Sequence, residues 1–283
     1  MEKAKKGIFY MILSTICFTT LGVVVKKMSK FPIAEIHLFS SLISLIISYI
    51  LLKKQQIAIL GKAKKLLVLR GITAGLGMFL FFITLVRLPL SAANILQNTS
   101  LIFTNILGIY LLHEKVHLRN WLFFGIAFLG VFLVYAPHLF TVSGKDTKKL
   151  NICLGLLSAL LMGLANNLNA KIGQRENPLV IFNYALYCTI LFAGINCFNN
   201  FILPNWQEAI WFIMMGIISF IANYYAIFAY QYAPIRKVTA ISYLSIPLYL
   251  IVDIVWLGNH FTYITLCGIL LISLGVLLNL HFD

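Results

Sequence analysis

Asn94, Gln97, Asn98, Thr99, Ser100, Thr104 and Asn105 interrupt a stretch that is otherwise almost wholly apolar, from Leu90 to Leu112. At about 100° per residue, Asn94, Asn98 and Asn105 fall on one stripe of a helix, and Gln97, Ser100 and Thr104 on the stripe beside it. Amides and hydroxyls donate and accept hydrogen bonds without fixed charge, so such a face can hold a polar organic solute. A second polar face runs through Thr239, Ser242, Tyr243, Ser245, Tyr249 and Asp253. Thr15, Thr19, Asn166, Asn167, Asn169, Asn183, Tyr184, Tyr187, Asn223, Tyr224 and Tyr225 place further polar groups in apolar surroundings. Each alone could tie one helix to another; together they read as the lining of a cavity. The candidate substrate contacts are Thr19, Asn94, Gln97, Asn98, Asn166, Asn167, Tyr224, Ser242 and Tyr243.

Asp253 is the one acidic residue well inside an apolar stretch, which marks it as a possible coupling residue, a proton carrier or a cation counter-charge. Glu35 and Glu114 lie at the ends of such stretches. His113-Glu114-Lys115-Val116-His117 spells HExxH, which on a continuous helix puts two imidazoles on one face for zinc with the glutamate as base. An intramembrane zinc metalloprotease is therefore the alternative function. Against it, the motif sits at a span end and no other histidine offers a recognisable third ligand. No GxxxxGK[ST] phosphate cradle and no Ser/His/Asp arrangement stands out.

The elements that must position these side chains follow from composition. The chain of 283 residues is 61% hydrophobic and 11% charged, against about a quarter charged in soluble domains. It reads as a polytopic membrane protein. A helix needs roughly 20 residues to cross about 30 Å of hydrocarbon, and ten segments qualify: Gly7 to Val25, Pro32 to Leu52, Leu66 to Val86, Leu90 to Leu112, Leu118 to Tyr135, Leu150 to Ala170, Pro178 to Phe201, Ile210 to Tyr232, Val238 to Leu257 and Tyr263 to Leu280. The polar intervals between them are too short for a soluble domain. The net charge of +14 is scattered over short loops rather than gathered on one face, which argues against nucleic acid. The five cysteines show no paired spacing and read as buried small hydrophobes. Gly71 and Gly75 form a GxxxG, and Gly125 with Gly130 gives a second close-packing position.

Residues 85 to 135 and 230 to 280 align without a gap at an offset of 145, pairing Pro89 with Pro234, Ser100 with Ser245, and Leu129-Gly130-Val131 with Leu274-Gly275-Val276. Leu13-Ser14 recurs as Leu157-Ser158, so the first apolar stretch reads as a span and not a cleaved leader. Five spans per half is an odd number, which forces the second half to enter from the opposite side. The fold expected is an all-α membrane protein of ten transmembrane helices, built as two inverted five-helix repeats, 1–145 and 146–283. With the N-terminus inside, fifteen of the 22 basic residues, Arg70 among them, fall on the cytoplasmic side, and Lys26, Lys27, Lys30, Arg87, Lys145, Lys148 and Lys149 fall outside. Inverted repeats around a central site suit a carrier that opens to each side in turn.

Leu111-Leu112-His113-Glu114-Lys115-Val116, then Trp121, Gly125 and Leu129-Gly130-Val131, resemble the EamA family of the drug/metabolite transporter superfamily. Ser245-Ile246-Pro247-Leu248 is similar to the family's serine-proline turn in helix nine, and Arg70-Gly71 with Gly77 to its helix-three opening. The resemblance implies ten helices, alternating access, and a central cavity lined mainly by helices one, three, four, six, eight and nine. It makes Glu114 the end residue of helix four. Ile102 stands where the first repeat would carry a proline, so Pro247 alone should kink its helix and the two gates should differ. The expected function is secondary transport of a small polar organic metabolite, an amino acid, nucleoside-like compound or S-adenosylmethionine, with a lining that favours a neutral or zwitterionic solute. No enzyme activity, cofactor, metal or nucleic acid is expected. The expected partners are the metabolite and the lipid bilayer, with the chain acting as monomer or homodimer. Its expected place is the bacterial cytoplasmic (inner) membrane with both termini cytoplasmic.

Overall fold

The computed structural model describes residues 2–87, 90–112, 121–123, 125–126, 128–130, 132–133, 146–197, 201–245, 247–249, 251–252, 263–264, 267–268, 270–271, 274–275 and 278. Among them every regular element is helical: α1 (Glu2–Lys27), α2 (Ile33–Lys54), α3 (Lys64–Arg87), α4 (Leu90–Leu112), α5 (Trp121–Gly130), α6 (Asp146–Ile172), α7 (Pro178–Cys197), α8 (Trp206–Tyr232) and α9 (Ile235–Ser242). Six of these (α1, α2, α3, α6, α7 and α8) are long and apolar enough to cross a membrane. In hydrocarbon a helix satisfies every backbone group internally, which is why apolar stretches of this length adopt it.

Local signals set the ends. Asn205 caps α8 while the Glu208 carboxylate accepts from the Asn205 backbone N–H at 2.7 Å, a reciprocal pair that starts the helix four residues before the apolar run. Pro178 opens α7, where its missing N–H is not needed. Past α6, Gly173 takes φ +56° and turns the chain away. The expected ninth span, Val238 to Leu257, is not one helix. α9 ends at Ser242, and Tyr243 and Leu244 form a turn held by 3₁₀-type bonds to Ala240 and Ile241. Pro247 is the cause, since its ring crowds the carbonyl four residues back, at Tyr243, and offers it no N–H. α4 runs unbroken through the repeat-equivalent stretch, so the structure has the expected asymmetry.

Helix directions follow from named contacts. α1 and α8 run antiparallel, since Gly7 packs against Ala229 and Ala233 while Ser14 Oγ donates to Ala222 O at 2.8 Å. α3 and α6 do the same, with Arg70 beside Asn169 and Ser158 Oγ donating to Gly77 O at 2.7 Å. α4 and α6 are parallel, because Leu96 meets Gly155 and Thr104 meets Asn167. The contacts come in matched pairs. Ser14 and Ser158 are repeat-equivalent, as are Gly77 and Ala222, so the two serine bonds are counterparts. A Cβ on Gly71 would lie 2.6 Å from Tyr184 O on α7, and one on its counterpart Gly216 would lie 3.3 Å from Ser40 O on α2 and collide with Ile43. Without a hydrophobic drive between helices in lipid, such close backbone packing supplies much of the association.

One sequence expectation changes. Arg70 is no loop cation: it is 4% exposed within α3. Glu35 lies in the first turn of α2, at the span end where the sequence places it; it is fully buried there and accepts from Ile202 N–H at 3.1 Å.

Candidate functional site

The described helices enclose a central cavity of about 170 Å³, more than ten times the roughly 10–15 Å³ that one water requires. Its wall draws on α1, α2, α3, α4, α6, α7, α8, α9 and the segment after the α9 break. Toward the Arg87 end of α3 it meets a packed cluster of Leu21, Val25, Phe81, Phe82, Leu85 and Tyr249. Near the start of α1 it meets a second, of Met11, Tyr230, Ile235, Val238 and Ile241. The wall also carries the polar groups Ser41, Arg70, Gln97, Asn98, Ser100, Asn166, Asn169, Thr189, Ser219, Asn223, Ser242 and Ser245.

Of the nine candidate substrate contacts, Gln97, Asn98, Asn166 and Ser242 line this cavity. They come from three helices and have polar neighbours: the Gln97 amide lies 3.3 Å from Ser158 Oγ, Asn98 Oδ1 accepts from Ser245 Oγ at 3.5 Å, and Asn166 Nδ2 donates to Thr104 Oγ1 at 3.3 Å. Thr19, Asn167, Tyr224 and Tyr243 do not line it. Thr19 Oγ1 donates back to Thr15 O at 2.9 Å, a common use of a helical threonine. Asn167 is fully buried and its amide donates to Thr104 O at 2.8 Å and Gly163 O at 2.9 Å, joining α4 to α6. The Tyr224 ring stacks on Phe220 at 5.6 Å and meets Tyr225 and Phe228. Tyr243 is 1% exposed at the α9 break, and its hydroxyl has no hydrogen-bond partner among the described residues. Asn94 belongs to α4, but its side chain lies outside the description. Asp253 and His113 to His117 lie outside the described residues, among which no group of three His, Cys, Asp or Glu could hold a metal ion.

Sequence reasoning passed over several wall residues. Arg70 Nε donates to Asn169 Oδ1 at 2.8 Å and Nη1 to Ile181 O at 3.2 Å. His37 lies 4% exposed between Phe79 and Phe82, with ring centroids 6.0 and 4.6 Å away. A wall without fixed charge is thus corrected: it carries one guanidinium. α2 and α7 also contribute, through His37, Ser41, Phe182, Ala185 and Thr189, beyond the six helices the resemblance implied.

A solved crystal structure superposes with a TM-score of 0.83, covering 100% of this chain and 99% of that one at 14% identity, which shows a shared fold. The pseudopaline exporter CntI of Pseudomonas aeruginosa is 23% identical over 248 residues, 87% of this chain and 86% of the relative. The riboflavin transporter of Rhizobium johnstonii is 26% identical over 253 residues, 87% and 82%. The S-adenosylmethionine uptake transporter of Rickettsia prowazekii is 25% identical over 157 residues, 54% of this chain and 51% of its own length. The description EamA-like transporter family matches residues 5–136 and again 149–281. A multi-pass membrane chain whose described elements are all helical, matched twice along nearly its whole length, belongs to the EamA-like transporter family.

Proposed function

We propose that the chain is a secondary carrier that moves a small polar organic metabolite through the central cavity by alternating access. One observation carries the reading: a single cavity has polar groups supplied by both halves of the chain and packed apolar clusters at both ends. Gln97, Asn98, Asn166, Ser242 and Arg70 are its proposed contacts.

We further read the architecture as ten spans in two inverted five-helix repeats, 1–145 and 146–283, in a bacterial inner membrane with both termini cytoplasmic. The matched contacts of α1 with α8 and α3 with α6 support a two-fold relation between the halves. So does the parallel packing of α4 and α6: the connection between them starts at one end of the bundle and finishes at the other, which takes one crossing. Helical residues of α5 lie in that connection.

The test is uptake and exchange by the purified chain in liposomes, against radiolabelled amino acids, nucleosides, riboflavin and S-adenosylmethionine. Wild type should accumulate at least one class, and Asn98→Ala should reduce that transport about five- to tenfold, the worth of one neutral hydrogen bond. No transport of any class, or transport indifferent to Asn98→Ala and Gln97→Ala alike, contradicts the reading.

A further inference from the structure

Arg70 is the one lysine or arginine on the described cavity wall, which holds no aspartate or glutamate. Its two hydrogen bonds go to neutral acceptors, the Asn169 amide oxygen and the Ile181 carbonyl. A guanidinium has five N–H donors, so three remain without a partner among the described residues. Because it has no acceptor, it fixes the amide of Asn169 with oxygen toward Arg70, leaving the Asn169 NH₂ as a further donor. Taking a cation out of water without a counter-charge is strongly unfavourable, and buried charges are normally paired. Asn169 lies in the last turn of α6, whose carbonyl end supplies only a partial negative charge. Among the described residues no carboxylate answers Arg70.

We propose that the missing counter-charge is on the solute: Arg70 and Asn169 form a subsite for a carboxylate, and the metabolite is a small carboxylic acid, with amino acids included. The proposal rests on the carrier reading of this cavity. The geometry favours a carboxylate over a phosphate, because one guanidinium balances one negative charge, whereas a phosphate monoester carries nearly two at neutral pH. Arginine's planar fork also matches the two carboxylate oxygens. The rest of the wall, which includes the apolar Ala74, Phe182, Ala185 and Leu186 and the uncharged Asn223 and Ser219, would accommodate an apolar or uncharged polar side group.

The test compares acids with their amides by thermal unfolding of the purified full chain: L-methionine with L-methioninamide, L-phenylalanine with L-phenylalaninamide, and succinate with succinamide, at millimolar concentration. A ligand that binds the folded state raises Tm. At least one acid should raise it while its amide does not, and Arg70→Gln should weaken binding of that acid about 10- to 100-fold, the range for a charge-assisted bond. Arg70→Lys should fall between. A purely structural arginine would shift the ligand-free Tm of Arg70→Gln but leave the preference for acid over amide intact. The proposal is overturned if no acid raises Tm, if acids and amides act alike, or if Arg70→Gln keeps wild-type affinity. The acid–amide comparison uses the unaltered protein, so it decides even where Arg70→Gln does not fold. Transport of a neutral solute by wild type and Arg70→Gln equally would leave the carrier standing and remove the carboxylate subsite. Absence of all transport would instead remove the carrier reading.

Discussion

Ala226→Trp should bring uptake down to that of protein-free liposomes while the protein still folds. Ala226 is half-buried on α8 and its methyl group forms part of the cavity wall. An indole there enters a space of about 170 Å³ and competes directly with the solute. Because the ring fills existing room, the overpacking penalty of roughly 1–3 kcal/mol expected in a close-packed core is largely avoided. Ile217→Trp on the same helix provides the control. Ile217 is exposed on the outer face of the bundle, where an aromatic meets lipid and leaves the cavity untouched. Uptake by Ala226→Trp at wild-type rates would place the transport route elsewhere.

Gly71→Leu and Gly216→Leu should be the most destabilising single changes, each by about 3 kcal/mol or more. At Gly71 the first added carbon already meets the Tyr184 carbonyl at 2.6 Å, and a backbone atom cannot swing aside. At Gly216 it collides with Ile43 on α2. The two positions are repeat-equivalent, so their losses should be similar. Gly194→Leu should be neutral or slightly stabilising, because a side chain there meets nothing within 4 Å among the described residues and glycine is a poor helix former. Thermal unfolding in detergent reads all three.

Much of this architecture could be read directly from the chain. α4 covers the apolar run Leu90 to Leu112 without a break, as its hydropathy leads one to expect. α8 starts four residues before its apolar run, because hydropathy marks only the apolar residues while Asn205 and Glu208 set the helix start by capping. Pro247 was recognisable as a kink, but the loss of the turn at Tyr243 depends on where the broken carbonyl falls, four residues upstream. The polar face of α4 is legible from spacing, and Asn166 and Asn167 of α6 from their apolar surroundings. Spacing alone could not separate Asn166, on the wall, from Asn167, one step around the helix and bonded to α4.

Arg70 was hidden by a rule that is correct on average. A basic residue a few positions into a span normally marks the cytoplasmic side, and its counterpart Met215 is uncharged, as that rule would have it. Met215 is itself fully buried, however, so the position faces the interior in both copies and the charge belongs to the cavity. Removing Arg70 from the orientation count leaves fourteen cytoplasmic basic residues against seven. The bias survives.

Alternating access is tested most directly by one engineered cysteine. In a chain with Cys17, Cys153, Cys188, Cys197 and Cys267 replaced by alanine or serine, Ser245→Cys places a thiol on the cavity wall after the α9 break. Oriented proteoliposomes with a transported solute present would be treated with a membrane-impermeant maleimide, added outside or trapped inside. The account predicts modification from both sides, each slowed by saturating solute. Modification from one side only, with transport still running, would contradict it.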